Sequence, residues 1–533
     1  MDAIANRIAS AVARGNRFNS TETQNGVKGS EAEQAQRIGM VVDVGNSPLV
    51  YGLIPNLVEK QEYPYSRPEF LYFSDEEINL ASDQTIRPIL CSKCLSKMPL
   101  NAGYAECINA GKTQRNEDQA AAKMMSLIQA CNEVKAENGD GRYKRNSEYD
   151  DDLLSPGSSD SKNDLFAPRA DTALFGIFDG HAGAGAAIVA RKCLHEHIKT
   201  RLEEVLDMIL QLDRQEAMMI NRTTSSYSIS QSDKESITSS QLVCGALETA
   251  FMDMDDQIGD DKQNWKLPGG CAAICAVVFL GKIYIANAGD CRAVLATSEE
   301  CRQLSKDLNP ASERKRLQTL AYQNPSLIGH HFSRLEYSRR LTKSDLKSKV
   351  LYRDWFMDGW ATKIVKEYDL RSPLISSSTF KKRLLNTIGV SRGFGDHHLF
   401  TVEERLPIKP FLSPVPEIAV LNVRDLPSIC DKDVIVLASD GVWDVISNED
   451  AKMIVRSALA STEPSDLSRY SMAAQELASA ARGQPSSTHC NRWAMTNGGH
   501  ASTDDITVFV IPLSNCIAPA PVEEEDDEPL SLT

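Results

Sequence analysis

The feature that most constrains this chain is a set of short acid-bearing segments spread over almost four hundred residues. They are Asn116-Glu117-Asp118, Phe178-Asp179-Gly180-His181, Asn287-Ala288-Gly289-Asp290, Asp440-Gly441-Val442-Trp443-Asp444 and Asp504-Asp505-Ile506-Thr507. All but the first border runs of β-branched or aromatic residues, which places their acids at strand ends. A fold that gathers them makes a pocket of like charge, and buried carboxylates either neutralise or find a counter-charge. The motifs themselves carry few cations. Hard divalent ions fit the need, because Mg²⁺ and Mn²⁺ prefer oxygen ligands. The pattern reads as a polynuclear metal centre built from distant segments.

Between these segments the periodicity is mixed. Leu174 to Phe178 is a short apolar strand, and Ala182 to Leu210 carries Ile188, Leu194, Ile198, Leu202, Val205 and Ile209 at helical spacing. Ala272 to Leu280 and Lys282 to Ala286 flank a hairpin turn at Leu280-Gly281-Lys282. Cys291 to Ala296, Asp433 to Leu437 and Ile506 to Ile511 are further strands, with a helix over Glu449 to Leu459. Hairpins in place of regular strand–helix alternation predict an α+β fold, with antiparallel sheets and helices outside them.

At 533 residues the chain has room for two or three average domains, or for one large domain with insertions. The boundaries drawn are a largely disordered segment over 1–60, an ordered domain over 61–513 and an acidic disordered tail over 514–533. Insertions fall at about 138–164, 223–240 and 304–385. The net charge of −15 argues against nucleic acid as the main partner. Thirteen scattered cysteines make no disulfide framework, which points to a reducing setting, cytoplasmic or nuclear. Cys91 and Cys94 form a lone C-x-x-C and read as ordinary thiols. No apolar run approaches the roughly 20 residues that cross a bilayer. At the N-terminus Ile4, Ile8 and Val12 recur among Arg7, Arg14 and Arg17. That pattern suits a membrane-surface helix, a transit-like segment or a disordered start; Asp2 and the small apolar face count against the first two.

Phe178-Asp179-Gly180-His181-Ala182-Gly183, Asn287-Ala288-Gly289-Asp290-Cys291-Arg292, Ser391-Arg392-Gly393-Phe394-Gly395-Asp396, Ala438-Ser439-Asp440-Gly441-Val442-Trp443-Asp444 and Asp504-Asp505-Ile506-Thr507 follow one another in a telling order. With them the chain resembles the metal-dependent protein serine/threonine phosphatases, the PPM or protein phosphatase 2C family, over Tyr104 to Leu513. Arg67-Pro68-Glu69-Phe70, Arg87-Pro88-Ile89-Leu90 and Leu351-Tyr352-Arg353-Asp354 resemble its H/J/M branch.

The resemblance implies a central sandwich of two antiparallel β-sheets flanked by α-helices, with an enlarged flap at 304–385. It implies two Mn²⁺ or Mg²⁺ ions per site. Asp179 bridges them, Asp440 and Asp504 complete one, and Glu117 with the Gly180 carbonyl completes the other. Asp290 and Asp444, with Asp440, match a weaker third-metal site. Asp118 holds water beside the metals, Asp505 stands next to a ligand, and Asp396 has a supporting role. The implied activity is hydrolysis of phosphoserine and phosphothreonine on proteins, with Rab-type small GTPases in the branch's substrate class. A pseudophosphatase that only binds partners is the rival, although every expected carboxylate is present.

Paired metals lower the pKa of water held between them, so no covalent intermediate is needed. His181 is the candidate general acid, since imidazole titrates near neutral pH, or else a hydrogen-bonding residue beside the metals. Three positions depart from the family. Thr113 stands where a phosphate-gripping Arg is usual, leaving Lys112 as the candidate clamp, with Arg115 nearby. Gly270-Cys271-Ala272-Ala273 lacks the usual threonine, and Cys291 replaces a serine. In the flap, Arg314-Lys315-Arg316 and Arg339-Arg340 suit either an acidic partner or a solvated helix face.

Overall fold

The computed structural model describes residues 61–74, 76–77, 86–108, 115–129, 168–223, 237–260, 265–376, 381–485 and 493–517. The expectations for 1–60 and 138–164 lie outside these residues, as do Lys112, Thr113, most of 223–240 and the tail from 518. The chain divides into two units, one of 1–62 with 263–266 and the other of 63–262 with 267–533. In the first, the described parts are Gln61–Glu62 and Trp265–Lys266, which pair in parallel. Everything below concerns the second unit.

Its strands are β1 (Ile89–Cys91), β2 (Gly103–Cys107), β3 (Gln119–Ile128), β4 (Arg169–His181), β5 (Gly270–Phe279) and β6 (Lys282–Ala288). They continue with β7 (Arg292–Ala296), β8 (Cys301–Gln303), β9 (Phe394–Gly395), β10 (Glu417–Asn422), β11 (Val434–Ala438) and β12 (Ile506–Pro512). One sheet has the order β8-β7-β11-β12-β2-β1 and the other β10-β6-β5-β4-β3, with β9 added against β5. Every neighbouring pair is antiparallel. The fold class is therefore the α+β sandwich, and the hairpin at Leu280 and Gly281 turns with both residues at positive φ, 53° and 72°.

Side-chain alternation explains why the sheets stack. In β4, Ala173, Phe175 and Ile177 point between the sheets, where they meet Ile435 and Leu437 of β11 and Phe509 and Ile511 of β12. Their neighbours Leu174 and Phe178 face outward onto α1 (Gly185–Glu204) and α3 (Ser239–Gly259). Val436 and Val508 face outward from the other sheet onto α5 (Asn448–Ala460) and α6 (Arg469–Arg482). Each sheet thus buries both faces.

The single helix expected over 182–210 is two helices, α1 and α2 (Leu206–Thr223), broken at Val205. Val205 leaves helical geometry at φ −119°, and its N–H turns back to the Leu202 carbonyl at 3.3 Å. Leu206 and Ile209 stay buried across the break, so the apolar period runs on where the backbone does not. The flap has two apolar cores of its own. Leu317 of α4 (Arg314–Gln323) packs with Phe332, Leu374, Leu384, Ile408 and Phe411. Tyr337, Val350 and Val365 pack around the antiparallel strands Glu336–Tyr337, Lys349–Arg353 and Ala361–Ile364. Among the described residues no helix is long and apolar enough to cross a membrane.

Candidate metal centre

The acid segments lie at one end of the sandwich because its strands end there. In β4, Asp179 and Gly180 pair with Ala272 and Cys271 of β5. A side chain at Gly180 would bring its Cβ within 2.4 Å of the Glu117 carbonyl, so only glycine lets these segments touch. The chain then turns, and the Gly183 N–H donates to Glu117 Oε1 at 2.7 Å. Asp440 opens the single helical turn Asp440–Trp443 directly after β11, and the Trp443 indole N–H donates to the Ala438 carbonyl at 2.9 Å.

Hydrogen bonds stitch the first and last segments together between the two sheets. The Glu117 N–H donates to Asp505 Oδ2 at 2.8 Å, and the Thr507 hydroxyl donates to Asp118 Oδ2 at 2.7 Å. Ser439 Oγ accepts from the Thr507 N–H at 3.1 Å.

Asp179, Asp290 and Asp440 present carboxylate oxygens that all lie within 4.8 Å of one another, a grouping able to hold a cation. Burial, then the charges of Asp440, Asp118, Asp290 and Asp504, pushes Asp179 well above the usual carboxylate range. Burial and Asp440 push Asp290 up to about 7. Asp118 rises through burial and the charge of Asp505, against hydrogen bonds from Ser439 and Thr507. Asp444 rises through burial and Asp440. Like charges confined together disfavour ionisation, and a cation between them reverses that.

A cation already reaches them. Lys381 of the flap places Nζ 2.7 Å from both Asp440 Oδ2 and Asp444 Oδ2. Burial alone would lower the Lys381 pKa, but the two carboxylates hold it raised. An all-oxygen donor set that draws in an ammonium fits a hard divalent ion.

The other expected residues are placed as follows. His181 Nε2 lies 2.7 Å from Asp396 Oδ2. Burial disfavours the imidazolium, but the hydrogen bond and charge of Asp396 outweigh it, and the pKa is raised. Asp396 thus holds the imidazole, while its own N–H bonds the Gly269 carbonyl at 2.9 Å. Arg115 lies 5.4 Å over the Tyr65 ring. Cys271 and Cys291 are fully buried beside the acids, and burial followed by neighbouring aspartates pushes both thiols well up. Cys91 and Cys94 are unbridged, and burial lifts the Cys91 thiol to about 11.

Of the flap's basic clusters, Arg314 turns inward, while Lys315, Arg339 and Arg340 stay exposed. Arg314 is buried and donates to Gln318 Oε1 and to the Asp354 and Met357 carbonyls. Arg316 pairs with Glu313, Lys315 with Asp358 and Arg339 with Asp345. The sequence reading passed over Lys381 and the Asp396 bond to His181. The only hint of the former is the basic triplet Lys381-Lys382-Arg383 just before the Ser391 motif.

The protein phosphatase 2C family model matches residues 139–377 and 371–489, a span that includes Asp179, Asp290, Asp440 and Asp444. Protein phosphatase 1H of Xenopus tropicalis is 38% identical over 479 residues, covering 85% of this chain and 92% of its own length. The human protein phosphatase 1H is 36% identical over 477 residues, covering 85% and 91%. Protein phosphatase 1J of Rattus norvegicus is 37% identical over 470 residues, covering 86% and 88%. Similarity across nearly the whole length, in a sandwich whose acids meet at one end, makes this chain a member of the protein phosphatase 2C family.

Proposed function

We propose that this chain hydrolyses phosphoserine and phosphothreonine on protein substrates with two Mn²⁺ or Mg²⁺ ions held by its acid floor. The carrying observation is the convergence of Asp179, Asp290 and Asp440, half-buried acids from three separate motifs. Asp179, Asp440, Asp504, Glu117 and the Gly180 carbonyl would hold the two ions, and Asp290 and Asp444 with Asp440 a weaker third. Bound there, the ions would lower the pKa of water and offset charge on the phosphoryl oxygens. Asp118, tied to Thr507, and Asp505, tied to the Glu117 N–H, orient the floor. His181, held by Asp396, would give a proton to the departing serine or threonine oxygen. The phosphate-gripping cation falls to Lys112 or Arg115. Small GTPases of Rab type are the proposed substrates, and the cytoplasm the proposed setting.

A second reading, a weakly active scaffold, draws on Lys381 at Asp440 and Asp444 and on Thr113 at the usual Arg position. Phosphate release from a phosphothreonine peptide separates the two. Turnover by the full chain should need Mn²⁺, stop in EDTA, and fall by roughly 10³-fold or more in Asp179→Asn. Turnover that survives EDTA overturns the mechanism, and no turnover with Mn²⁺ favours the scaffold.

A further inference from the structure

A buried charge without a counter-charge is costly enough that folds avoid it or use it. Arg191 of α1 is 5% exposed, and one of its nitrogens, Nη2, donates to Ser66 Oγ at 2.8 Å. Its Nε and Nη1 are buried and have no hydrogen-bond partner. Other buried guanidiniums also leave nitrogens unpartnered, but each has a compensating group close by. Arg67 pairs with Glu106, Arg469 with Asp431, and Arg87 stacks 4.8 Å from the Trp493 ring.

Arg191 lines a cavity of about 730 Å³ between β3, α1 and the turns around Glu69 and Lys97. Lys97, Lys123, Lys192 and His195 line it too, and Glu69 is the carboxylate among its described walls. Lys123 Nζ lies 3.6 Å from that carboxylate. Lys97 and Lys192 lie over the rings of Tyr72 and Tyr63 at 4.8 and 5.4 Å, which leaves their charge uncompensated by an acid. His195 adds a buried Nδ1 with no partner. Four cations against one carboxylate is a local reversal in a chain of net charge −15.

We propose that this cavity is an anion site that takes the phosphate group of a small soluble molecule. A guanidinium with Nε and Nη1 unpartnered keeps donors and a full positive charge for an anion, and the surrounding lysines add point charges. The volume suits a ligand of metabolite size. The site is distinct from the acid floor, which repels anions when metal is absent. Its walls are nonetheless the strand that follows Glu117 and Asp118 and the helix that follows His181, so an occupied cavity braces both.

The test uses the full chain stripped of divalent metal in EDTA, with inorganic pyrophosphate as probe and calorimetry as readout. One pyrophosphate should bind. Arg191→Gln and Lys123→Gln should each weaken it by about tenfold, and Glu69→Gln should strengthen it a few-fold, since that removes the opposing charge. Should Arg191→Gln fail to fold, the exposed Lys97→Gln and the Glu69→Gln variant carry the same test, with opposite signs. No binding to the parent chain overturns the proposal, as does unchanged affinity in the cavity variants. Loss of binding in Lys381→Met instead would place the anion at the acid floor and also overturn it. Binding only to vesicles carrying phosphatidic acid, and not to free pyrophosphate, would reject a soluble ligand.

Discussion

The acid floor and the flap both bury carboxylates, and they treat them in opposite ways. In the flap each buried acid has its cation within the fold. Glu313 pairs with Arg316 and Arg392, Glu336 with Arg353 and Lys382, and Asp369 with Lys363 and the Tyr337 hydroxyl. Burial would raise these acids, but hydrogen bonds from their partners win, and all three are lowered, Glu313 to about 2. On the floor the acids face one another and are raised. Paired acids hold the flap together; opposed acids hold a cation. The direction of the shift tells the two apart where burial alone does not.

Asp179→Asn tests the contrast most severely. Beyond the loss of turnover, removing one like charge should raise the melting temperature of the EDTA-treated protein by a few degrees, about 1 kcal/mol or more. A lower melting temperature would show that Asp179 is a structural acid like those of the flap. Glu313→Ala should do the reverse and destabilise by about 3 kcal/mol, because it removes the buried acid shared by the half-buried Arg316 and Arg392. Urea unfolding measures this, and a loss below about 1 kcal/mol would mean the pairing is superficial.

The two regions also predict opposite pH slopes. Glu313 is depressed, so its stabilisation is present above the unfolded glutamate pKa of about 4.3 and is lost as pH falls towards about 2. Asp290 is raised, so its contribution is whole below about pH 3.9 and drains away as pH climbs through about 7. The melting temperature in EDTA should therefore decline between about pH 5 and 7, and Mn²⁺ should abolish the decline. A flat profile in EDTA would break the comparison. The smallest effect is expected of Lys381→Met, which removes the ammonium that reaches Asp440 and Asp444. Mn²⁺ measured by calorimetry should bind a few-fold more tightly, as a competing cation is gone; weaker binding would show that the lysine assists the metal.

Much of the sandwich was legible because strands buried on both faces are written as short continuous apolar runs, as in Leu174 to Phe178. The break at Val205 was not, since Leu206 and Ile209 continue the apolar rhythm across it. The acids could be picked out because a carboxylate at a strand end carries its chemistry in its residue type. Lys381 could not, because its partner Asp440 is 59 residues further on and a lysine in a basic triplet looks solvated. The link between His181 and Asp396 spans 215 residues. Within the cluster at 314–316, the burial of Arg314 was not legible, because two of its acceptors are carbonyls of a distant turn, which no composition reveals.

Cys271 and Cys291 give the floor one more property. Thiols kept protonated and out of reach of solvent are poor nucleophiles and slow to be oxidised or alkylated. Signalling enzymes that depend on a reactive thiolate fall silent under peroxide. Cys271 and Cys291 give such reagents little foothold at the acid floor.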